Sequence, residues 1–258
     1  MRIIREPSVY LLGRQELDRA ELARFLSDHD VATWETDTEI AAQELCEVAG
    51  RVCYMSFSKP RPGGNKAYLQ RLMEVGHGSV LEHAVFNLLI TGVSRSFTHE
   101  LVRHRAGFGY SQLSQRYVDE SVAEYVEPAC IAEDAELHQV WLEAVRQSHQ
   151  AYCKLVEGLS RRFAEVSDPT QRRKLARQAA RSVLPNATET KIFVTANARA
   201  LRHFIELRAN EHAEVEIRAV AVKVLDVLRK EAPNLFGDYQ DVALPDDTRA
   251  VRTPYHKV

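Results

Sequence analysis

From Glu39 to Met55 the apolar residues Ile40, Leu45, Val48, Ala49 and Val52 return every three to four positions, the spacing of one buried face on an α-helix. A charge-rich stretch before it, Arg14 to Asp28, reads as a mostly exposed helix, and residues 7–13 as a short first strand. Leu69, Leu72 and Met73 turn inward in a helix predicted over Ala67–Val75. Leu137, Val140, Trp141, Ala144, Val145, Ala151, Leu155 and Leu159 give one long amphipathic helix over Ile131–Glu165, its aromatic stripe belonging to a core or an interface. Elsewhere the pattern changes. Ala84–Gly92 is nearly continuous in apolar residues, as a strand buried on both faces is. Thr188–Ala196 alternates like a half-buried strand, and Tyr125-Val126-Glu127-Pro128 is a strand that stops at its proline.

Turn and cap residues divide these elements. Lys59-Pro60-Arg61-Pro62-Gly63-Gly64 cannot continue a helix and sets a break from Ser56 to Asn65, a lid or a linker. Asp168-Pro169 supplies a cap and a first-turn proline for a helix over Gln171–Val183. Asn197 caps a helix ending at Arg208, Asn210 caps another ending at Lys230, and a polar tail follows from Pro233. Few strands among many helices, without regular alternation, predict an α+β fold. The expected architecture is a single domain over 1–258, with a small mostly antiparallel sheet packed among several long helices and an irregular tail from about residue 234.

Composition narrows the function classes. The 258 residues carry 34 Lys and Arg against 36 Asp and Glu, a formal charge of −2, so no global basic field recruits nucleic acid and any phosphate affinity must be local. No run approaches the roughly 20 apolar residues that cross a bilayer, and no signal peptide opens the chain, so a soluble cytoplasmic protein is expected. Cys46, Cys53, Cys130 and Cys153 form no C-x-x-C pair and suit a reducing compartment.

The densest chemistry lies between Arg103 and Tyr117, Arg-His-Arg-Ala-Gly-Phe-Gly-Tyr-Ser-Gln-Leu-Ser-Gln-Arg-Tyr. Arginine grips phosphate with a planar fork, and glycine lets backbone approach a ligand. The segment before it, Phe97 to Val102, reads as an amphipathic helix that delivers Arg103, His104 and Arg105 at its end. A solvated basic loop is the plain alternative. His77 and His83 invite a metal reading, but H-E-x-x-H is absent and neither a cysteine nor a carboxylate completes a ligand set, so no metal is expected.

Arg103-His104-Arg105, a spacer, then Ser114-Gln115-Arg116-Tyr117 resembles the defining motif of the flavin-dependent thymidylate synthases. Gly76-His77-Gly78-Ser79-Val80-Leu81-Glu82-His83 upstream is similar to that family's His-x-Ser/Thr-x-x-Glu-His segment. Downstream, Ala180 to Pro185, Asn197-Ala198-Arg199 and Leu207-Arg208 fall in the family's order, so the likeness spans about residues 40 to 235. One departure is the spacer: eight residues separate Arg105 from Ser114, one more than usual, and Ala106-Gly107-Phe108-Gly109 is where two glycines could absorb a bulge.

The resemblance implies reductive methylation of dUMP to dTMP in de novo nucleotide biosynthesis. The one-carbon donor is 5,10-methylenetetrahydrofolate, and the reductant is NADPH acting through bound FAD in a homotetramer. It places His77, Ser79, Glu82, Arg103, His104, Arg105 and Gln112 at the flavin, with Asn197, Arg199 and His203 from another subunit. It places Glu100, Arg103, Gln112, Leu113, Ser114, Gln115, Arg116, Arg181 and Arg208 at the nucleotide, Arg208 beside the uracil N3 where charge grows. His203 and Glu100 stand where some members have asparagine and glutamine. By spacing alone, Asn197 and Arg199 are a helix cap and a first-turn surface residue, and Arg172, Arg173, Lys174 and Arg177 a solvated face. Two other classes stay open on the residues themselves. One is a nucleotide- or RNA-binding module, which the charge balance disfavours; the other is a flavoprotein with a different electron acceptor.

Overall fold

The computed structural model describes every residue except Ala32, Pro60, Lys257 and Val258, so the Pro60 end of the predicted Pro60–Gly64 segment lies outside the described residues. In chain order it forms β1 (Arg2–Ile4), β2 (Ser8–Gly13), α1 (Arg19–Asp28), α2 (Ala41–Val52), α3 (Gly64–Glu74) and a 3-10 turn, Gly78–His83. Then come β3 (Val85–Ser94), α4 (Arg95–Leu101), β4 (Phe108–Gln112), β5 (Glu124–Val126), α5 (Ala129–Ala132), α6 (Ala135–Arg162) and α7 (Pro169–Ala180). The chain closes with β6 (Glu189–Asn197), α8 (Ala198–Arg208), α9 (Val215–Glu231), α10 (Pro233–Phe236), β7 (Gln240–Ala243) and β8 (Arg249–Arg252). This is the α+β fold expected, with a small sheet of order β2-β3-β6-β4 among the helices.

Two compact units divide these residues. The first holds Met1–Ser8, Ile90–Val102 and Ser111–Ile192. In it β1 runs parallel to β5, Ile3 opposite Tyr125. Tyr125, Ala123 and Val145 form a small buried cluster with Trp141 against it. The second holds Val9–Leu89, Arg103–Tyr110 and Phe193–Val258. Its core is built from α2, α3, α8, α9 and α10 and includes Leu69, Leu81, Phe86, Leu201, Phe204, Ile205, Leu225, Leu228 and Phe236, all essentially excluded from water. Phe86 meets Phe236 edge-on at 5.9 Å. Each such side chain contributes about 1.5–3 kcal/mol on burial.

Several predicted elements differ in detail, for local reasons. The helix expected over Ile131–Glu165 is two, because the Asp134 carboxylate accepts from the backbone N–H of Glu136 and Leu137 and starts α6 afresh. α9 is capped by Glu214 rather than Asn210, whose side chain accepts instead from His212 N, at 3.0 Å. β3 buries alternate residues up to Gly92, so it is half-buried rather than covered on both faces. The segment from residue 234, expected to be irregular, continues α10 and forms an antiparallel β7–β8 hairpin that buries Ala250 and Val251.

Candidate functional site

In the first unit the site grows from the start of α4. Ser94 caps this helix, its Oγ accepting from Phe97 N at 3.0 Å. Arg95 N and Ser96 N donate to the carbonyls of Thr188 and Asn186, which pins the first helical turn to the segment before β6. Arg95 therefore stands at a helix N-terminus, where the macrodipole disfavours a cation. It is half-buried, and burial first, then the like charge of Arg181, weakens its hold on its proton, against the pull of Glu120. Arg181 is the C-cap of α7. Arg116 lies over the Tyr117 ring at 5.6 Å. Among the described residues none of Arg95, Arg116 and Arg181 has an ion-pair partner.

The loop between β4 and these arginines is held from both sides. Leu113 N donates to Lys191 O at 2.9 Å, Tyr117 N and Val118 N fold back on Ser114 O, and Arg116 N donates to Ser114 Oγ at 3.4 Å. Arg177 clamps the far end, donating to Tyr117 O at 2.6 Å and to the Asp119 carboxylate at 2.8 Å. Gln115 is 5 % exposed with its Nε2 unpartnered, a buried donor aimed at nothing in the protein. Glu120, equally buried, has an unpartnered Oε1, and burial raises its pKa. Gln112 Nε2 donates to Thr98 and Thr190 hydroxyls at 3.2 and 3.3 Å. Glu100 is half-buried on α4.

Of the predicted nucleotide residues, this unit thus gathers Glu100, Gln112, Leu113, Ser114, Gln115, Arg116 and Arg181. It adds two arginines that the sequence reading did not select. Arg95 was signalled by an arginine directly after a capping serine; Arg177 was hidden in a helix whose basic residues read as a solvated face.

In the second unit α8, with its cap, carries the predicted residues Asn197, Arg199, His203 and Arg208. Asn197 Oδ1 accepts from Ala200 N at 2.8 Å, so the cap role predicted from spacing is real. Ala198 N donates to Ala84 O and fixes the helix start. Gly107 sits at φ 73°, and a Cβ there would lie 2.8 Å from both the Ala200 Cβ and the Asn197 Nδ2. The Gly107 turn is thus open only to glycine. Arg199 pairs with Glu82 at 2.6 Å, bringing α8 to the Gly78–His83 turn, where His77 and Ser79 are exposed. Arg103, Arg105 and His203 are exposed as well. His104 is buried. Arg208 Nε donates to its Nε2 at 3.1 Å, and Tyr110 OH donates to its carbonyl at 2.7 Å. Burial, then the charges of Arg208 and His203, lower the His104 pKa to about 4.

With the guanidiniums of Arg103, Arg105 and Arg199 and the imidazole and amide groups of His77, His203 and Asn197, the side chains of this unit are of the chemical types that suit a flavin dinucleotide. Among the described residues no three His, Cys, Asp or Glu side chains converge as metal ligands. No helix among them is long and apolar enough to cross a membrane. Cys46 is fully buried and its thiol is pushed up to about 12 by burial, so it is inert as a nucleophile.

The family model described as thymidylate synthase complementing protein matches residues 36–234. A flavin-dependent thymidylate synthase of Mycolicibacterium gilvum is 52% identical over 223 residues, covering 86% of this chain and 88% of the relative. That of Mycobacteroides abscessus is 50% identical over 232 residues, 89% of this chain and 92% of the relative. That of Corynebacterium efficiens is 49% identical over 224 residues, 86% and 89%. Among solved structures, the UMP/dUMP methylase PolB from Streptomyces cacaoi bound with 5-Br dUMP superposes with a TM-score of 0.65 at 19% identity, over 92% of this chain and 96% of that one. With the arginine-rich motif, its capped helices and the Arg208–His104 pair in place, the chain belongs to the flavin-dependent thymidylate synthase family.

Proposed function

We propose that the protein methylates dUMP to dTMP in the cytoplasm, with 5,10-methylenetetrahydrofolate as one-carbon donor and NADPH as reductant through FAD. The observation that carries the substrate class is the set Arg95, Arg116 and Arg181, three guanidiniums that form no ion pair among the described residues, in the same unit as the buried, unpartnered Gln115 amide. Guanidiniums without an ion pair, Arg95 and Arg181 half-buried and Arg116 exposed, suit a phosphate, whose oxygens take charge-assisted bonds from arginine forks and from Ser114 and the nearby backbone.

Arg208 acts on the ring. As C5 attacks the one-carbon unit, negative charge grows on N3 and the carbonyls, and a positioned cation stabilises it. A guanidinium keeps its proton under these conditions, so it favours the ionised ring without being spent as an acid. FAD, when bound, passes electrons from NADPH to the nucleotide. Arg103, Arg105, Asn197 and Arg199 hold it, with His77, Ser79, Glu82, His104, Gln112 and His203 about it. Ser114 orients, since its Oγ accepts from Arg116 N and, among the described residues, no base is hydrogen-bonded to it. Glu100 and Leu113 complete the nucleotide contacts.

The chain works as one domain, and its sites are assembled between subunits of a homotetramer. Mixing Arg103→Ala subunits with Arg199→Ala subunits tests this: regained flavin binding supports shared sites, and a monomer that binds flavin at full affinity sinks them. The activity itself is tested by incubating the purified protein with dUMP, FAD, NADPH and 5,10-methylenetetrahydrofolate. Formation of dTMP, with deoxyuridine a far poorer substrate, is the expected result. Equal use of deoxyuridine would contradict the phosphate assignment, and NADPH oxidation without dTMP would contradict the methylation.

A further inference from the structure

Glu120 is a buried carboxyl group to which no step of the proposed reaction gives a role. It opens a 3-10 turn, Glu120–Val122, in the first unit and is 5 % exposed, yet its Oε1 finds no hydrogen-bond partner. Leaving a buried acceptor unpaired costs stability, so its retention calls for a reason. We propose that Glu120 is the resident counter-charge of Arg95, offsetting that cation until the nucleotide phosphate takes its place, and then taking up a proton from solvent. This rests on the reading that the phosphate lies at Arg95, Arg116 and Arg181.

The fold brings the two residues together around Thr188. Arg95 N donates to Thr188 O at 3.0 Å, which seats the start of α4 there. Tyr125 bridges to the same residue, and Val126 N donates to Ala187 O at 2.8 Å, so the strand that follows the Glu120 turn lies on the same segment. The turn itself is held from several sides. Glu120 N donates to Tyr152 OH at 3.3 Å, Ala123 N to Glu120 O at 3.0 Å, and the Asp119 carboxylate accepts from Ser121 N at 3.0 Å and from Arg177 at 2.8 Å. Glu120 therefore cannot swing out to water without breaking these bonds.

The charges around it are mostly spent on one another. Glu189 accepts from Gly92 N and from Lys191 Nζ, both at 2.9 Å, and Asp119 is paired with Arg177. Tyr125 shares a hydrogen bond with His149, and the Tyr152 hydroxyl is taken by Glu120 N. What remains is the Glu120 carboxyl and the Arg95 guanidinium, neither in an ion pair among the described residues. Burial raises the Glu120 pKa, Arg95 is the strongest pull the other way, and Glu189, Lys191 and Asp119 follow with alternating sign.

A phosphate on Arg95 would cancel that pull and add negative charge of its own. Both effects raise the proton affinity of Glu120 in the complex above its value before binding. The complex then holds more protons than the free enzyme, so affinity for dUMP falls as the pH rises through that window. Glu120 acts through Arg95 and need not touch the nucleotide.

Calorimetric titration of the flavin-loaded enzyme with dUMP, in buffers of different ionisation heat, counts the protons taken up per site. At about pH 7.5 a phosphate monoester, with a second pKa of about 6, is already ionised and does not contribute. Wild type should take up a proton in part or in full, and Glu120→Gln, which keeps the shape and removes the charge, none. Above that pH wild type should lose affinity for dUMP relative to Glu120→Gln, by up to about tenfold per pH unit. Infrared difference spectra of wild type with and without dUMP read the same proton if Glu120→Gln fails to fold: the carboxylic-acid band should grow. No proton uptake and no such band in wild type, or equal uptake in Glu120→Gln, would overturn the proposal. Unchanged dUMP affinity in Arg95→Ala would instead overturn the reading on which it rests.

Discussion

Replacing Arg202 by methionine should cost more stability than any surface change, and the structure says how much. The guanidinium is 2 % exposed and bidentate to Asp238 at 2.6 and 2.8 Å. It also donates to Leu235 O at 2.7 Å and to Thr253 Oγ1 at 3.3 Å, and lies over the Tyr239 ring at 4.8 Å. One residue of α8 thus ties down α10, the approach to β7 and the segment after β8. Methionine keeps the aliphatic volume and the helix propensity, but takes the counter-charge from a carboxylate that is 11 % exposed and a donor from the Leu235 carbonyl. Removing one partner of a buried pair costs about 3–5 kcal/mol. At roughly 2–4 °C per kcal/mol for a chain of this size, the midpoint should fall by roughly 6–20 °C. Thermal unfolding followed by circular dichroism reads it. Arg202→Met with Asp238→Leu should regain much of the loss, because no charge is then stranded. Flavin retention should fall with the single change, since α8 also carries Asn197, Arg199, His203 and Arg208. A midpoint within roughly 2 °C of wild type, or a double variant no better than the single one, would refute the reasoning.

Arg95→Ala and Arg181→Ala should each raise KM for dUMP by roughly 10- to 100-fold, the worth of a charged hydrogen bond, while leaving the poor turnover of deoxyuridine unchanged; initial rates with both substrates check this. None of the four cysteines should be needed for methyl transfer: replacing them should cost packing, a few kcal/mol at a buried site such as Cys46, and a folded, flavin-loaded variant of any one cysteine without turnover would contradict it. His104 titrates near 4 in the folded chain against an ordinary value near 6.5, so the unfolded chain takes up the proton first; the contribution is fully present above pH 6.5 and is lost as the pH falls toward 4. Urea unfolding at pH 7 and pH 5 should show an acid loss about 2 kcal/mol smaller in His104→Phe than in wild type.

The parts of this molecule that the sequence made legible are those whose physics is local. Asn197 and Asp168 announce helices because a short acceptor satisfies the first free N–H groups, and both caps form. Arg208 falls at the end of its helix as the capping pattern requires. Polar residues packed between Arg103 and Tyr117 signal a site because no core would bury them. What escaped depends on partners distant in sequence. β4 has no apolar alternation; its Phe-Gly-Tyr-Ser-Gln run is a strand because it is hydrogen-bonded to β6 at the edge of the sheet. The residues after 232 look like a solvated tail until Arg202 supplies a counter-charge for Asp238. Arg95 stands eight positions before Arg103, and the backbone ties of α4 to Thr188 and Asn186, distant in sequence, help to bring it into one unit with Arg181. The Arg208–His104 contact spans 104 positions, beyond the reach of any spacing rule.

The central claim is that Arg208 stabilises charge on the uracil during methyl transfer, rather than merely neutralising the C-terminal end of α8, a role worth about 0.3–1 kcal/mol. The most direct measurement is dTMP formed per bound flavin in an anaerobic single turnover of Arg208→Ala. Arg208→Ala should be a folded, flavin-loaded protein that forms dTMP roughly 100- to 1,000-fold more slowly, about 2.7–4 kcal/mol, with Arg208→Lys recovering little because an ammonium lacks the planar pair of donors. Wild-type rate and yield from Arg208→Ala would contradict it.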